Sequence, residues 1–132
     1  MTIIDTYLSL TNKYKQEYGP STLLLMQVGS FFECYALINN DSTYYGSDIQ
    51  NFADINDMVI SRKNASHNGI PVVMAGFGVN QLEKYVKKLQ EKDYTIVVYT
   101  QDTQTKNTTR SLSCIYSPGT YFSNDSSSIS NV

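Results

Sequence analysis

The segment Thr22–Val28 constrains the fold more than any other part of the chain. Its sequence, Thr-Leu-Leu-Leu-Met-Gln-Val, is a short and nearly continuous apolar run without the alternation of a half-exposed strand. Such a run is typical of a β-strand that helices cover on both faces. We therefore predict a central strand at residues 22–28 and an α/β arrangement around it.

A helical pattern precedes this strand. Thr2 and Asp5 form an acidic variant of the capping box, which predicts that a helix begins there and runs over residues 3–17. Gly19 and Pro20 are expected to end it, because glycine accepts a left-handed cap and proline cannot continue the hydrogen-bond ladder.

The rest of the chain alternates between strand and helix patterns. A turn at residues 64–69 ends in Asn-Gly, which readily supplies the positive φ angles of a hairpin, so the sheet is not expected to be purely parallel. The predicted fold class is α/β, with a mixed β-sheet of about five to six strands flanked by about three to four helices. The further predicted elements are strands at 58–60, 70–74, 94–100 and 111–116, helices at 48–55 and at 81–91 with Asn80 as cap and Glu83 as its partner, and loops at 38–47 and 101–109.

Length and composition indicate one domain. The chain has 132 residues, of which 41% are hydrophobic, and this is enough for a single core. We expect that domain to cover residues 1–120. The last residues are mainly Ser and Asn, which cannot bury enough surface to offset their ordering entropy, so residues 121–132 are predicted to be a disordered linker or tail.

Charge and hydropathy exclude several classes of protein. Ten Lys and Arg residues against twelve Asp and Glu give a net charge of −2, which excludes a strongly basic nucleic-acid binder. No apolar run reaches the roughly 20 residues that span a bilayer, and the first residues lack the basic start of a secretory signal. We expect an intracellular protein with no membrane partner, and its compartment stays open. Cys34 and Cys114 are expected to be free thiols.

Residues suited to catalysis are scarce. His67 is the single histidine, and its turn-like surroundings favour a solvated loop residue over a catalytic base or metal ligand. The chain has no G-x-x-x-x-G-K-[ST] phosphate loop, and Gly-Phe-Gly at residues 76–78 lacks the third glycine of a dinucleotide-binding fingerprint. We therefore expect no catalytic residue, no cofactor, no metal and no ATPase activity in this chain.

The sequence Gly-Ser-Phe-Phe-Glu at residues 29–33 follows the central strand directly, where open α/β sheets tend to place binding sites. In one interpretation Phe31 and Phe32 are both core residues. Neighbouring residues on a strand point to opposite faces, however, and Gly29 allows the backbone to turn. One of the two phenylalanines could therefore project outward.

Several motifs together resemble one known family. Residues 29–33 are similar to the G-D-F-Y-E motif of the amino-terminal mismatch-recognition domain of MutS proteins, the sensors of DNA mismatch repair. The resemblance covers about 120 residues and keeps the order and spacing of the motifs. Ser30, Phe32 and Gly78 depart from the usual family residues. The other similar segments are residues 2–7 and 22–28, Ile-Ser-Arg-Lys at 60–63, Met-Ala-Gly-Phe at 74–77, the helix around Glu83 and Tyr85, and Ser-Pro-Gly-Thr at 117–120.

The resemblance implies a function and a set of site residues. Phe31 would enter the minor groove and stack on a mispaired base, and Glu33 would form a hydrogen bond with that base. Arg62 and Lys63 are candidates for phosphate contacts. The partners would be mismatched double-stranded DNA and further domains of a longer MutS-like chain, dimeric as the full-length protein and monomeric as this fragment. The segment at 38–47 is longer than in bacterial members, and with the Asn-, Ile- and Tyr-rich composition it resembles a viral or organellar branch of the family, which leaves a viral, mitochondrial or nuclear compartment open.

Two other classes of function stay open on the sequence. The chain could be an α/β protein-interaction or regulatory module, whose exposed aromatic residues contact another protein domain and not DNA. A nuclease that uses carboxylates and a lysine ranks third, because the sequence contains no paired-carboxylate motif.

Overall fold

The computed structural model describes residues 2–102 and 109–118. In these residues the chain forms a mixed sheet of seven strands and three α-helices, with a short 3₁₀ helix at Val79–Gln81 before the last of them. The helices are α1 (Ile3–Tyr18), α2 (Ile49–Asn56) and α3 (Leu82–Glu91). The strands are β1 (Thr22–Val28), β2 (Phe31–Ile38), β3 (Tyr44–Tyr45), β4 (Ser61–His67), β5 (Ile70–Gly78), β6 (Thr95–Gln101) and β7 (Arg110–Tyr116).

The sheet has the order β4-β5-β2-β1-β6-β7, and β3 pairs with β2 beside this path. Strand β1 lies inside the sheet, parallel to β6 and antiparallel to β2, and the remaining pairs are antiparallel. The predicted fold class is confirmed, with a strand count slightly above the expected one.

Helices cover both faces of the sheet, as the apolar run of β1 predicts. On one face, Phe77 of β5 contacts the rings of Phe52 in α2 and Tyr85 in α3. On the other face, the rings of two tyrosines in α1 contact Tyr35 of β2 and Tyr99 of β6. Four consecutive residues of β1 are at most 1% exposed: Leu23, Leu24, Leu25 and Met26.

The start of α1 has the predicted geometry. The Thr2 hydroxyl accepts a hydrogen bond from the Asp5 backbone N–H, and the Asp5 carboxylate accepts one from the Thr2 N–H, both at 3.1 Å. Gly19 ends the helix with a φ of 102°. The helix therefore extends one residue beyond the predicted end.

The strand predicted at residues 58–60 is wrong, because β4 begins only at Ser61. Strand β4 is an edge strand of mainly polar sequence with an alternating exposed and half-buried pattern, so its hydrophobicity gives little signal. The turn is also shorter than predicted. It consists of Asn68 and Gly69, whose φ angles of 51° and 80° fit a two-residue hairpin turn.

Three other expectations also require correction. The predicted loop at 38–47 contains the short strand β3. Asn80 does not cap α3, because the 3₁₀ turn moves the helix start to Leu82, and the cap residue Gln81 makes no side-chain cap bond. His67 is not a solvated loop residue: it ends β4, and its Nδ1 lies 2.7 Å from Asp5 Oδ1. Bonds from the Thr2 backbone and from His67 hold the pKa of Asp5 below its ordinary value.

The predicted tail at 121–132 and most of the loop at 101–109 lie outside the described residues, so the domain boundary stays a prediction. Cys34 and Cys114 are free thiols, and burial raises the pKa of Cys34 to about 11. None of the helices in residues 2–102 and 109–118 has the length and apolar character needed to cross a membrane.

The capping box of α1 gives a test of the fold. We predict that Thr2→Ala lowers the free energy of unfolding by about 1 kcal/mol, because one backbone N–H loses its side-chain acceptor. Ser9→Ala, at an exposed position in the middle of the same helix, is the control and should change stability little. Urea denaturation of the three chains measures both effects, and equal stability of the wild type and Thr2→Ala would contradict the assigned cap.

Candidate functional site

A two-residue turn lies directly before the two phenylalanines, Phe31 and Phe32. Gly29 and Ser30 join β1 to β2, with Val28 paired to Phe31 across the turn. The Gly29 φ of 61° is a left-handed value that glycine adopts without strain. Consecutive strand residues point to opposite faces, and Phe31 lies beside the turn at the tip of the hairpin, so Phe31 is 53% exposed whereas Phe32 is 3% exposed. Phe31 is therefore the outward aromatic residue, and Phe32 belongs to the core.

Glu33 lies on the same face of β2 as Phe31, two residues further along the strand. It is only 7% exposed, and charged side chains at such positions require partners. The hydroxyl of Tyr35 donates a hydrogen bond to Glu33 Oε1. Lys63 Nζ lies 3.6 Å from the same oxygen and 5.2 Å from the centre of the Tyr35 ring. The carboxylate is thus compensated by one hydroxyl and one ammonium group.

The protonation state of Tyr35 preserves its hydrogen bond to Glu33. Burial, followed by the hydrogen bond to Glu33, raises the pKa of Tyr35 well above its ordinary value. The phenol therefore remains protonated and can act as the donor. Within the described residues both of these contacts go to Oε1 of Glu33, and Oε2 has no hydrogen-bond partner. A carboxylate oxygen in this state can accept a bond from an external N–H group.

A cleft of about 260 Å³ lies beside these residues. Val59 forms part of its wall and is 84% exposed, so it extends the apolar surface of Phe31. The cleft-lining residues are Phe31, Glu33, Val59, Ser61, Met74, Ala75 and Gly76.

Gly76 sets the distance between β5 and β2 at this cleft. A Cβ atom at Gly76 would lie 2.5 Å from the Phe32 carbonyl oxygen and 3.3 Å from Glu33 Cγ. The first distance is shorter than any ordinary contact, so a side chain here would push the two strands apart. The absence of a side chain at Gly76 thus allows Glu33 to occupy its place against β5.

The structure brings together three of the four predicted site residues. Phe31, Glu33 and Lys63 share one face, whereas Arg62 is exposed and alternates to the opposite face of β4. The site also contains residues that sequence reasoning missed, namely Tyr35, Val59 and the side-chain-free position Gly76. Strand alternation from Phe31 could have found Tyr35, but the position of Val59 depends on the tertiary fold.

The fold and the site together define a class of protein. The chain is a mixed α/β domain that presents an aromatic residue at a hairpin tip, with a compensated carboxylate behind it. The family model MutS domain I matches residues 3–125. The chain therefore belongs to the MutS domain I family, as its motifs indicate.

Several known proteins are similar to the chain. A mutS homologue of Acanthamoeba polyphaga mimivirus is 28% identical over 129 residues, covering 92% of this chain and 11% of the homologue. DNA mismatch repair protein MutS 1 of Haloarcula marismortui is 28% identical over 119 residues, covering 90% of this chain and 11% of that protein. DNA mismatch repair protein MutS of Nostoc punctiforme is 32% identical over 95 residues, covering 72% and 9% respectively. The chain thus spans about a tenth of the length of these relatives.

The close contact at Gly76 gives a second test. We predict that Gly76→Ala lowers the free energy of unfolding by about 1–3 kcal/mol, because the added methyl group overlaps the Phe32 carbonyl. Gly78→Ala is the matched control on the same strand. Its added Cβ would meet the flexible Asn80 side chain at 3.2 Å, so the loss should be smaller. Thermal or urea unfolding of the two variants measures the difference, and a larger loss for Gly78→Ala would refute the packing argument.

Proposed function

We propose that the chain is the mismatch-recognition domain of a longer DNA mismatch repair protein. Phe31 acts as the wedge at a mispaired base, and Glu33 is the hydrogen-bonding partner of that base. The observation that carries this proposal is the pairing of an exposed phenylalanine with a buried, compensated carboxylate on the same face of one strand. The names of the relatives, which are DNA mismatch repair proteins, support the same role.

The wedge distinguishes duplexes by their deformability. Inserting an aromatic side chain between base steps costs a few kcal/mol of unstacking, and base–aromatic stacking returns about 1–3 kcal/mol. At a matched step these two contributions nearly cancel. A mismatched step is already less well stacked and easier to kink, so insertion of Phe31 becomes favourable there without any reading of the base sequence.

Glu33 makes the insertion of Phe31 depend on a hydrogen bond from the base. A carboxylate next to the polyanionic duplex is repelled unless a base donates a hydrogen bond to it. Lys63 and Tyr35 reduce the cost of burying the charge, and Glu33 Oε2 stays available to a base N–H group. Because Glu33 is much less exposed than Phe31, it meets the base only after the aromatic ring has entered.

Phosphate contacts from Arg62 and Lys63 complete the proposed interface. Arg62 is exposed on the opposite face of the edge strand β4 and would contact a phosphate beside the site, whereas Lys63 also contacts Glu33 and so links the carboxylate to the DNA backbone. With a net charge of −2, the domain depends on the rest of the longer protein for most of its electrostatic attraction to DNA. We propose that this longer protein is intracellular and dimeric and that its ATPase lies outside this chain.

The neighbouring phenylalanines give a direct test within the longer protein. We predict that Phe31→Ala weakens binding to a mismatched duplex by about 1–3 kcal/mol, the value of one base–aromatic stack, with a much smaller effect on the matched duplex. Phe32→Ala is the control: it should cost about 3–5 kcal/mol of stability, because Phe32 is a core residue. Mobility shifts with mismatched and matched duplexes of one sequence, together with melting temperatures, measure both effects.

Two outcomes of this experiment would overturn the wedge. One is a Phe31→Ala protein that is strongly destabilised but keeps its mismatch preference, which would make Phe31 a packing residue. The other is a wild-type protein without any mismatch preference, which would favour the protein-interaction module. Divalent-metal-dependent cleavage of either duplex would instead favour a nuclease.

Glu33 gives a separate test. We predict that Glu33→Gln keeps or raises matched-duplex binding, because a negative charge beside the phosphates is removed, and lowers discrimination by about tenfold through the loss of a charge-assisted hydrogen bond. The amide oxygen still accepts from Tyr35. Glu17→Gln, at an exposed position on α1, removes the same charge away from the site and should leave discrimination unchanged. Titrations with both duplexes measure the effect, and unchanged discrimination in Glu33→Gln would remove Glu33 from the proposed site.

A further inference from the structure

The turn that carries Phe31 is held by side-chain amides from two strands. The Gly29 backbone N–H donates a hydrogen bond to Gln101 Oε1 at the end of β6. The Gly29 carbonyl accepts a bond of 3.1 Å from Gln27 Nε2. Gln27 and Gln101 are also joined to each other, because the Gln101 backbone N–H donates to Gln27 Oε1 at 2.9 Å. Both polar backbone groups of Gly29 thus have a glutamine partner.

Two further bonds fix the surroundings of these glutamines. Arg110 Nε of β7 donates to the Gln27 carbonyl at 2.6 Å, which ties the outer strand to β1 across β6. The Val79 backbone N–H donates to the Ser30 carbonyl at 2.9 Å. The turn from which Phe31 projects is therefore bonded to Gln27, Gln101 and Val79, and Arg110 of β7 bonds to Gln27 behind it.

Hydrogen bonds contribute most of the stability of this turn, because side-chain packing can contribute little. A Cβ at Gly29 would have no heavy atom within 4 Å outside its chain neighbours, and Phe31 is itself 53% exposed. A two-residue turn with no packed side chain would sample several conformations. An exposed side chain on a mobile turn loses more conformational entropy when it inserts into a ligand than one on a fixed turn.

We propose that Gln101 is a positioning residue for mismatch recognition. Its side-chain carbonyl holds the Gly29 N–H, fixes the turn between β1 and β2, and so presents Phe31 to the duplex in one orientation. This role rests on the proposed function of Phe31, but Gln101 itself need not touch DNA. The required group is the acceptor oxygen, and within the described residues the Gln101 side-chain nitrogen has no hydrogen-bond partner.

The oxygen of the Gln101 side chain is bonded and its nitrogen has no partner within the described residues, so a matched pair of substitutions in the longer protein can test the oxygen by itself. Gln101→Leu removes the acceptor at similar volume, and Gln101→Glu keeps an acceptor for the Gly29 N–H. We predict that Gln101→Leu lowers the ratio of mismatched to matched binding about fivefold, the equivalent of one hydrogen bond, and that Gln101→Glu retains most of the wild-type ratio. Gln50→Leu, an exposed position on α2, controls for the added apolar side chain.

The readout is the affinity ratio measured beside the melting temperature. A merely structural role would lower stability and both affinities together, whereas a positioning role changes the ratio and is rescued by Gln101→Glu. If Phe31→Ala abolishes the mismatch preference but Gln101→Leu leaves it unchanged, the positioning role is wrong and the proposed function stands. If Gln101→Leu and Gln101→Glu lower the ratio of mismatched to matched binding equally, the acceptor oxygen is not the required group. A wild-type protein without any preference overturns the proposed function and the positioning role together.

Discussion

The antiparallel pairing of β1 with β2 is the constraint on which the site depends. Because the turn has two residues, Val28 lies opposite Phe31, and this register decides the face of every later residue in β2. A slip by one residue would move Phe32 to the face that carries the cleft and turn Phe31 and Glu33 to the face that α2 and α3 cover. The two-residue turn with its left-handed Gly29, and the close approach of Gly76 to Glu33, hold this register in place.

The second constraint is the burial of the Glu33 carboxylate. Glu33 is compensated from two directions, by Tyr35 two residues along its own strand and by Lys63 from the edge strand β4. Burying a charge in this way is costly, and such a cost is typical of residues kept for a function and not for stability. The side-chain-free position at Gly76 contributes to the same arrangement by allowing β5 to approach.

Local patterns predicted much of the fold. The capping box of α1 and the run of β1 are predictable because each is a complete signal within a few neighbouring residues. Strand β4 is not predictable from hydrophobicity, because its residues are polar and an edge strand is held by backbone pairing. The start of α3 differs from the predicted cap because a 3₁₀ turn comes before the helix, and the sequence does not distinguish a 3₁₀ turn from an α-helical one.

The sequence by itself determined the α/β class, the central strand and the motif that contains Phe31 and Glu33, because these depend on residue order and local propensity. Only the tertiary structure decided that Phe31 is the exposed ring and Phe32 the buried one, that Lys63 faces Glu33 while Arg62 does not, and that Gln101 reaches Gly29. These contacts join residues of different strands, up to 72 positions apart in the chain. Their existence depends on sheet order and register, which result from the packing of the whole domain and are not encoded in any single segment.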